Sequence, residues 1–297
     1  MSGGLTERAI EEWQKARALQ AAIPTLHRNL GYGLLFFENN PQEASAVLRE
    51  GLGVDPSNVA LYLGLDQALA VLQRPASERA LALAKFPDPR NMPTSLVYAR
   101  ALALAEAGQF AEAQQLFRGR FFAMEELGTG VGQVYLEVEL MRASALTRAG
   151  KRDEARALMQ SIGQAPAGMP FPSDSLSPLL NEPRYQFAAG EIYAALGDRD
   201  QARQHWQKAT GGQPTAFALL AAKRLNPDDQ SWRGRAESAL QRTGGQAGLP
   251  HFTRGALLRE LGRTSEAEAE FRSAVLAPDR GLSQLLGRQG LASLRQP

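Results

Sequence analysis

One spacing recurs along this chain and limits what it can become: a small pair, a large apolar residue, Gly at a turn, then Ala, a large side chain, and Ala or Gly. Its clearest copy is Ala189-Gly190, Tyr193, Gly197, Ala202, Trp206, Ala209 and Pro214. A second reads Gly255, Leu258, Gly262, Ala267, Phe271 and Ala274, with Pro278 one residue early. Leu104, Gly108, Phe110, Ala113 and Phe117 fit the same frame, as do Leu146, Gly150, Ala155 and Met159. A fifth copy, Leu30-Gly31, Leu34, Ala44, Leu48, Gly51 and Pro56, carries one extra residue in the turn Glu38-Asn39-Asn40-Pro41.

The pattern has a geometric reason. Each unit is a pair of antiparallel helices, and neither helix buries its apolar stripe until neighbouring units stack on it. Small residues such as Gly190, Ala202, Gly255 and Ala267 belong where two helices approach most closely, and Tyr193, Trp206, Leu258 and Phe271 fill the space between hairpins. Gly197 and Gly262 suit the left-handed conformation that ends a first helix, while Pro214 and Pro278 stop the second. At 297 residues the chain is too long for one compact core, and its 7% aromatic content, against abundant Ala and Leu, favours helix–helix contacts over strands.

Between the good copies lie degenerate helical stretches. Residues 58–73 and 76–86 are expected to form a hairpin broken near Gln73-Arg74-Pro75, and 215–224 with 228–243 another around Asn226-Pro227-Asp228-Asp229. Residues 5–21 read as a lone amphipathic helix on the first hairpin and 281–294 as a terminal capping helix. The segment 165–182, with Pro166, Pro170, Pro172 and Pro178, separates an expected N-terminal lobe at 1–164 from a C-terminal lobe at 183–297.

These copies resemble the tetratricopeptide (TPR) repeat, with W-x2-L-G-x2-Y followed by A-x3-F-x2-A-x4-P. The resemblance implies an all-α, right-handed superhelical solenoid of TPR-like antiparallel helix hairpins, with a concave groove lined by the first helices. A narrower resemblance follows the order His27-Arg28-Asn29-Leu30-Gly31, Asp55-Pro56-Ser57-Asn58, Leu65-Asp66-Gln67, Glu78-Arg79 and Arg118-Gly119-Arg120-Phe121 through Glu125. Over roughly residues 10 to 212 this is similar to the C-terminal TPR region of large bacterial proteins of unassigned function. Their N-terminal part is β-rich and carbohydrate-associated, which implies a fragment or a stand-alone relative here. Where the family has a His-Pro-Trp-Glu-Gly-Gly-Glu-Gly stretch this chain has Phe122-Ala123-Met124-Glu125-Glu126-Leu127-Gly128-Thr129-Gly130; in the Phe121–Gly132 segment only Phe121, Glu125 and some of the glycines survive, which leaves Glu125 as the one carboxylate to watch.

Little in the chain points to chemistry. With no cysteine there is no thiol nucleophile or Cys-based zinc site, and His27, His205 and His251 fall into no metal-binding spacing. His27 and His251 are expected to be half-buried packing residues on first helices, and His205 to be exposed. Gly128-Thr129-Gly130-Val131-Gly132 lacks the Lys-Ser or Lys-Thr and the preceding strand of a phosphate loop, and reads as a connector. Glu137 and Glu139 stand two apart, on different faces of a helix, so they do not act as a carboxylate pair. No Gly-x-Ser-x-Gly elbow occurs. The expectation is a protein that is not an enzyme and takes no cofactor.

Net charge is only +2, and Arg254, Arg259, Arg263, Arg272, Arg280, Arg288 and Arg295 interleave with Glu260, Glu266, Glu268, Glu270 and Asp279, so nucleic acid is not the expected partner. The sequence opens without a basic segment followed by an apolar run and holds no apolar stretch of about 18 residues, which predicts no membrane span and a cytoplasmic setting. A protein or peptide partner is expected in the groove, with self-association through exposed aromatics as the other use of the surface, and an accessory role in a carbohydrate-associated protein as the alternative. In the repeat frame the groove-lining side chains are Arg28, Tyr32 and Phe36, then Tyr98, Leu102 and Glu106, then Leu140 and Arg148, then Phe187 and Glu191, and last Phe252 and Arg259. Tyr32, Leu102, Ser144, Glu191 and Ala256 do not supply the Asn and Lys of a carboxylate clamp.

Overall fold

The computed structural model describes residues 3–19, 22–122, 130–164, 167–169, 176–211, 215–245, 247–277 and 282–295. Among these residues all regular structure is α-helical, in seventeen helices with no strand. Glu125, Gly128, Thr129, Pro166, Pro170, Pro172, Pro214 and Pro278 lie outside the described residues.

The helices fall into two compact units, Met1–Ala107 and Gly108–Pro297. Unit 1 holds α1 (Gly3–Ala18), α2 (Pro24–Phe36), α3 (Pro41–Val54), α4 (Val59–Val71), α5 (Ala76–Leu83) and α6 (Thr94–Glu106). Each packs on the next, and α2, α4 and α6 also touch in succession. Unit 2 holds α7 (Phe110–Gln115), α8 (Val131–Arg148), α9 (Arg152–Ser161), α10 (Leu176–Leu180), α11 (Pro183–Ala195) and α12 (Arg199–Ala209). It continues with α13 (Ala216–Leu225), α14 (Ser231–Arg242), α15 (Gly248–Glu260), α16 (Thr264–Leu276) and α17 (Leu282–Ser293). There α8, α11, α13, α15 and α17 touch in succession, while α8 pairs with α9, α11 with α12 and α15 with α16. Helices that touch both the next and the next but one are the packing of a TPR-like hairpin array. Within the Pro-rich segment 165–182, α10 tucks Leu176 out of solvent and its Gln186 partner holds the Leu180 carbonyl at 2.6 Å.

The repeated spacing acts through close approach. A Cβ on Gly190 would lie 2.4 Å from the Trp206 indole, and one on Gly255 2.6 Å from the Phe271 ring, so each glycine admits the large side chain of its partner helix. Gly31 meets Leu48 in the same way at 2.6 Å, although that pair stands one residue further apart in sequence. The extra residue is absorbed in the turn, where Asn39 takes a left-handed conformation (φ 49°) in place of the glycine used at Gly197 (φ 78°) and Gly262 (φ 79°). Helix starts follow local chemistry: Asn40, Asn58, Asp198 and Thr215 each accept the backbone N–H three residues on.

His27 is buried, with Nδ1 3.0 Å from the Ile23 carbonyl oxygen. His205, expected on the surface, is instead half-buried, and the correction has a clear cause: it stacks on Tyr193 (5.2 Å, 12°) and its Nδ1 lies 2.8 Å from Gln186 Oε1. Because the Gln186 amide nitrogen donates to the Leu180 carbonyl, Gln186 accepts at Oε1, so the imidazole carries its proton on Nδ1. Burial, and then the Lys208 charge, hold the His205 pKa below the ordinary value of 6.5. A depressed folded-state pKa favours the neutral ring, so its contribution is complete above the unfolded-state pKa and is lost as pH falls from there through the folded-state pKa. Wild type should therefore lose more thermal stability between pH 7.5 and about 5.5 than His205→Asn, which keeps a donor for Gln186 but does not titrate. Parallel melting curves for the two proteins across this range would refute the assignment.

A candidate partner-binding face on the C-terminal unit

In unit 2 the first helices bring together residues that the repeat frame only places separately. Phe187 of α11 and Phe217 of α13 have ring centroids 6.3 Å apart, and Phe217 lies 6.0 Å from Phe252 of α15. All three rings are half-buried and rest on a core that includes Leu220, Trp232, Leu257 and Phe271. The row therefore presents aromatic surface on three adjacent helices while its base is held by packing.

An ion ladder borders this row. Arg224 of α13 donates from Nε to Glu191 of α11 at 3.1 Å, and from Nη1 and Nη2 to both oxygens of Glu260 of α15 at 3.0 and 2.9 Å. Its guanidinium also sits 5.8 Å from the centre of the Phe187 ring. Arg259 carries the ladder on, 3.4 Å from Glu260 and donating to Ser293 Oγ of α17 at 2.7 Å. A carboxylate in the last position of a helix faces the negative end of the helix dipole, so Glu260 needs a cation there. Burial pushes its carboxyl up, but hydrogen bonding and charge from Arg224 outweigh this and hold it below the usual carboxylate value. Two acids and two arginines cancel, which leaves the aromatic rings as the distinguishing chemistry of the face.

Of the residues expected to line a groove, Phe187, Glu191, Phe252 and Arg259 meet on this face. Leu140 is buried in α8, whereas Arg148 at its C-terminal end is exposed. In unit 1, Tyr98 and Leu102 are buried within α6. Tyr32 packs its ring at a tilt of 44° against Phe36 at 5.8 Å and donates to the Ala60 carbonyl of α4 at 2.7 Å, closing α2 onto α4. Arg28 donates to its neighbour Asn29 at 3.0 and 3.1 Å. Glu106 is engaged by Arg79, which donates to it at 2.9 Å and forks onto Asp66 at 2.8 and 3.2 Å.

Sequence reasoning missed Phe217 and Arg224 because α13 lies in a degenerate hairpin outside the repeat frame. A signal was present: Phe217 and Arg224 repeat the spacing of Phe252 and Arg259, two turns apart on one helix face. It also missed the partners of the two buried glutamates. Glu137 is paired with Arg184, and Glu139 accepts from Gln114 at 2.5 Å, so they do face different neighbours.

A second concave feature, a cavity of about 630 Å³, lies among α14, α15 and α16. Glu270 there accepts from His251 Nδ1 at 2.6 Å and Arg254 Nε at 2.7 Å, which ties α15 to α16. Among the described residues no helix is long and apolar enough to cross a membrane.

No family model matches the chain, and no curated protein matches it. Among solved structures it is similar to a chain in the structure of Naa15/Naa10 bound to HypK-THB, with 13% identity and a TM-score of 0.33. The match covers 93% of this chain and 57% of that one, so the chain spans a little over half the length of the solved chain it resembles.

Proposed function

We propose that this protein is a non-catalytic scaffold that binds a peptide or partner segment on the first-helix face of its C-terminal unit. The observation that carries the reading is the row Phe187, Phe217 and Phe252 on three adjacent helices, half-buried at its base and flanked by a charge-balanced ladder. Rigid aromatic side chains lose little conformational entropy on binding and concentrate affinity at protein interfaces. Their spacing of 6.0–6.3 Å is close to the rise of about 5.4 Å per helical turn and to the repeat of about 6.8 Å for alternate residues of an extended strand, so apolar side chains of either form match it.

The test is affinity capture from the source lysate with wild type, with Phe187→Ala/Phe217→Ala/Phe252→Ala, and with Gln241→Ala/His251→Ala in the neighbouring cavity. Circular dichroism first establishes that all three fold. A partner held by wild type and by the cavity variant, but bound at least ~10-fold more weakly by the aromatic variant, is the expected result. Equal retention by the two variants, or no partner for wild type, would remove the proposal.

A further inference from the structure

The hairpin α13–α14 is built differently from its neighbours. In α11–α12 and α15–α16 a glycine receives a large ring from the partner helix, at Gly190 with Trp206 and Gly255 with Phe271. In α13 the place three residues after the phenylalanine, held by Gly190 in α11 and Gly255 in α15, is taken by Leu220, so no such glycine-to-ring interlock forms there. Trp232 is the hairpin's own anchor: it is buried and donates from Nε1 to the Leu219 carbonyl at 2.6 Å. Leu220, Ala236 and Leu240 join the apolar core of α15 and α16, and polar ties run beside it. Arg224 reaches Glu191 on one side and Glu260 on the other, and Arg254 of α15 donates to the Leu240 and Thr243 carbonyls at the end of α14 at 3.2 and 3.0 Å.

We infer that Arg224 is an electrostatic clamp that fastens a weakly interlocked hairpin between two strongly interlocked ones, so that releasing it frees α13–α14 without unfolding the rest of unit 2. The glycine-to-ring interlock is the cohesive element of the flanking hairpins, and beside the aromatic row a fork of charge-assisted hydrogen bonds spans the three first helices. Local opening follows the weakest cooperative segment, and here that segment carries the middle ring of the aromatic row. Release separates Phe217 from Phe187 and Phe252 and dismantles the row. The clamp would thus control whether the face exists, whatever binds there.

Hydrogen exchange read by mass spectrometry, helix by helix and with no partner present, tests this apart from the binding proposal. In Arg224→Met the amides of α13 and α14 should exchange roughly 10- to 100-fold faster than in wild type, with α11, α12 and α15–α17 unchanged. Glu191→Gln/Glu260→Gln removes the acceptor charges and should act in the same direction; it also carries the test should Arg224→Met fail to fold. The chain has no cysteine, so cysteines introduced at the exposed Ala195 and Ser265 allow site-specific spin labels on either side of the hairpin. Their distance distribution should broaden in the clamp variants. Unchanged protection of α13–α14, or equal acceleration across every helix of unit 2, would overturn the inference.

Discussion

Replacing Arg79 by Met should destabilise unit 1 by about 3–5 kcal/mol, because it leaves two carboxylates without their cation in the interior. Arg79 is 3% exposed and holds Asp66, itself 8% exposed, through both oxygens while its third nitrogen holds Glu106. Burial pulls the guanidinium pKa down, yet the two carboxylates together raise it above its ordinary value, so the charged form is firmly retained. The bridge links α4, α5 and α6, which makes the expected loss local to those helices. Arg79→Lys keeps the charge but not the planar fork and should recover only part of the loss. The variant Asp66→Leu/Arg79→Met/Glu106→Leu removes every buried charge and should be more stable than Arg79→Met alone. Urea unfolding followed by circular dichroism, with hydrogen exchange on α4–α6, reads all three. A cost below about 1 kcal/mol for Arg79→Met would mean that solvent reaches the carboxylates and replaces the guanidinium.

This bridge shows where sequence reading reached its limit. Asp66 and Arg79 were noticed as members of a motif order, and Glu106 as a groove residue, but nothing in their spacing says that they meet. Ion pairing across helices depends on the three-dimensional neighbour, whereas glycine-to-ring packing within a hairpin depends on a fixed sequence offset. The second is therefore legible and the first is not. The close approach at Gly190 and Gly255 was readable from the chain, although Trp206 and Phe271, expected between hairpins, lie instead against the glycine of their own hairpin. The helices at 59–71, 76–83, 216–225 and 231–242 were also expected as elements despite their degenerate repeats. Their packing was not legible, because they lack the small-to-large spacing within the hairpin; Gly64 of α4 does admit a ring, but that of Tyr32 from α2.

The same distinction explains the aromatic face. Phe187 and Phe252 belong to repeats with a strong code and were named from it, while Phe217 and Arg224 sit in the hairpin without one. A helix that has lost its interlock is free to spend its surface on other contacts, and α13 offers a ring to the row and a guanidinium to both neighbours. His205 departs from expectation for a related reason. Its position on a second helix suggested exposure, but α10 folds back from the Pro-rich segment and Gln186 links the two.

Phe271→Ala should cost the C-terminal end of unit 2 about 3–5 kcal/mol, as expected when a fully enclosed aromatic side chain is truncated and its site collapses only partly. The ring is completely buried and meets two neighbouring helices where they lack side chains: a Cβ on Gly255 of α15 would come within 2.6 Å of it and one on Gly290 of α17 within 2.5 Å. It also backs the Phe252 ring at 5.8 Å, so the aromatic face rests on it. The decisive measurement is a double-mutant cycle. Gly290→Ala alone should be strongly destabilising, since the new methyl group meets the ring below any normal contact distance. In a Phe271→Leu background the shorter side chain leaves room, and the same Gly290→Ala change should cost markedly less. A favourable coupling of at least about 1 kcal/mol by chemical denaturation is expected for residues packed in direct contact. Additive losses would show that α17 does not close over this ring, and the support it gives to Phe252 would then have to come from elsewhere in the core.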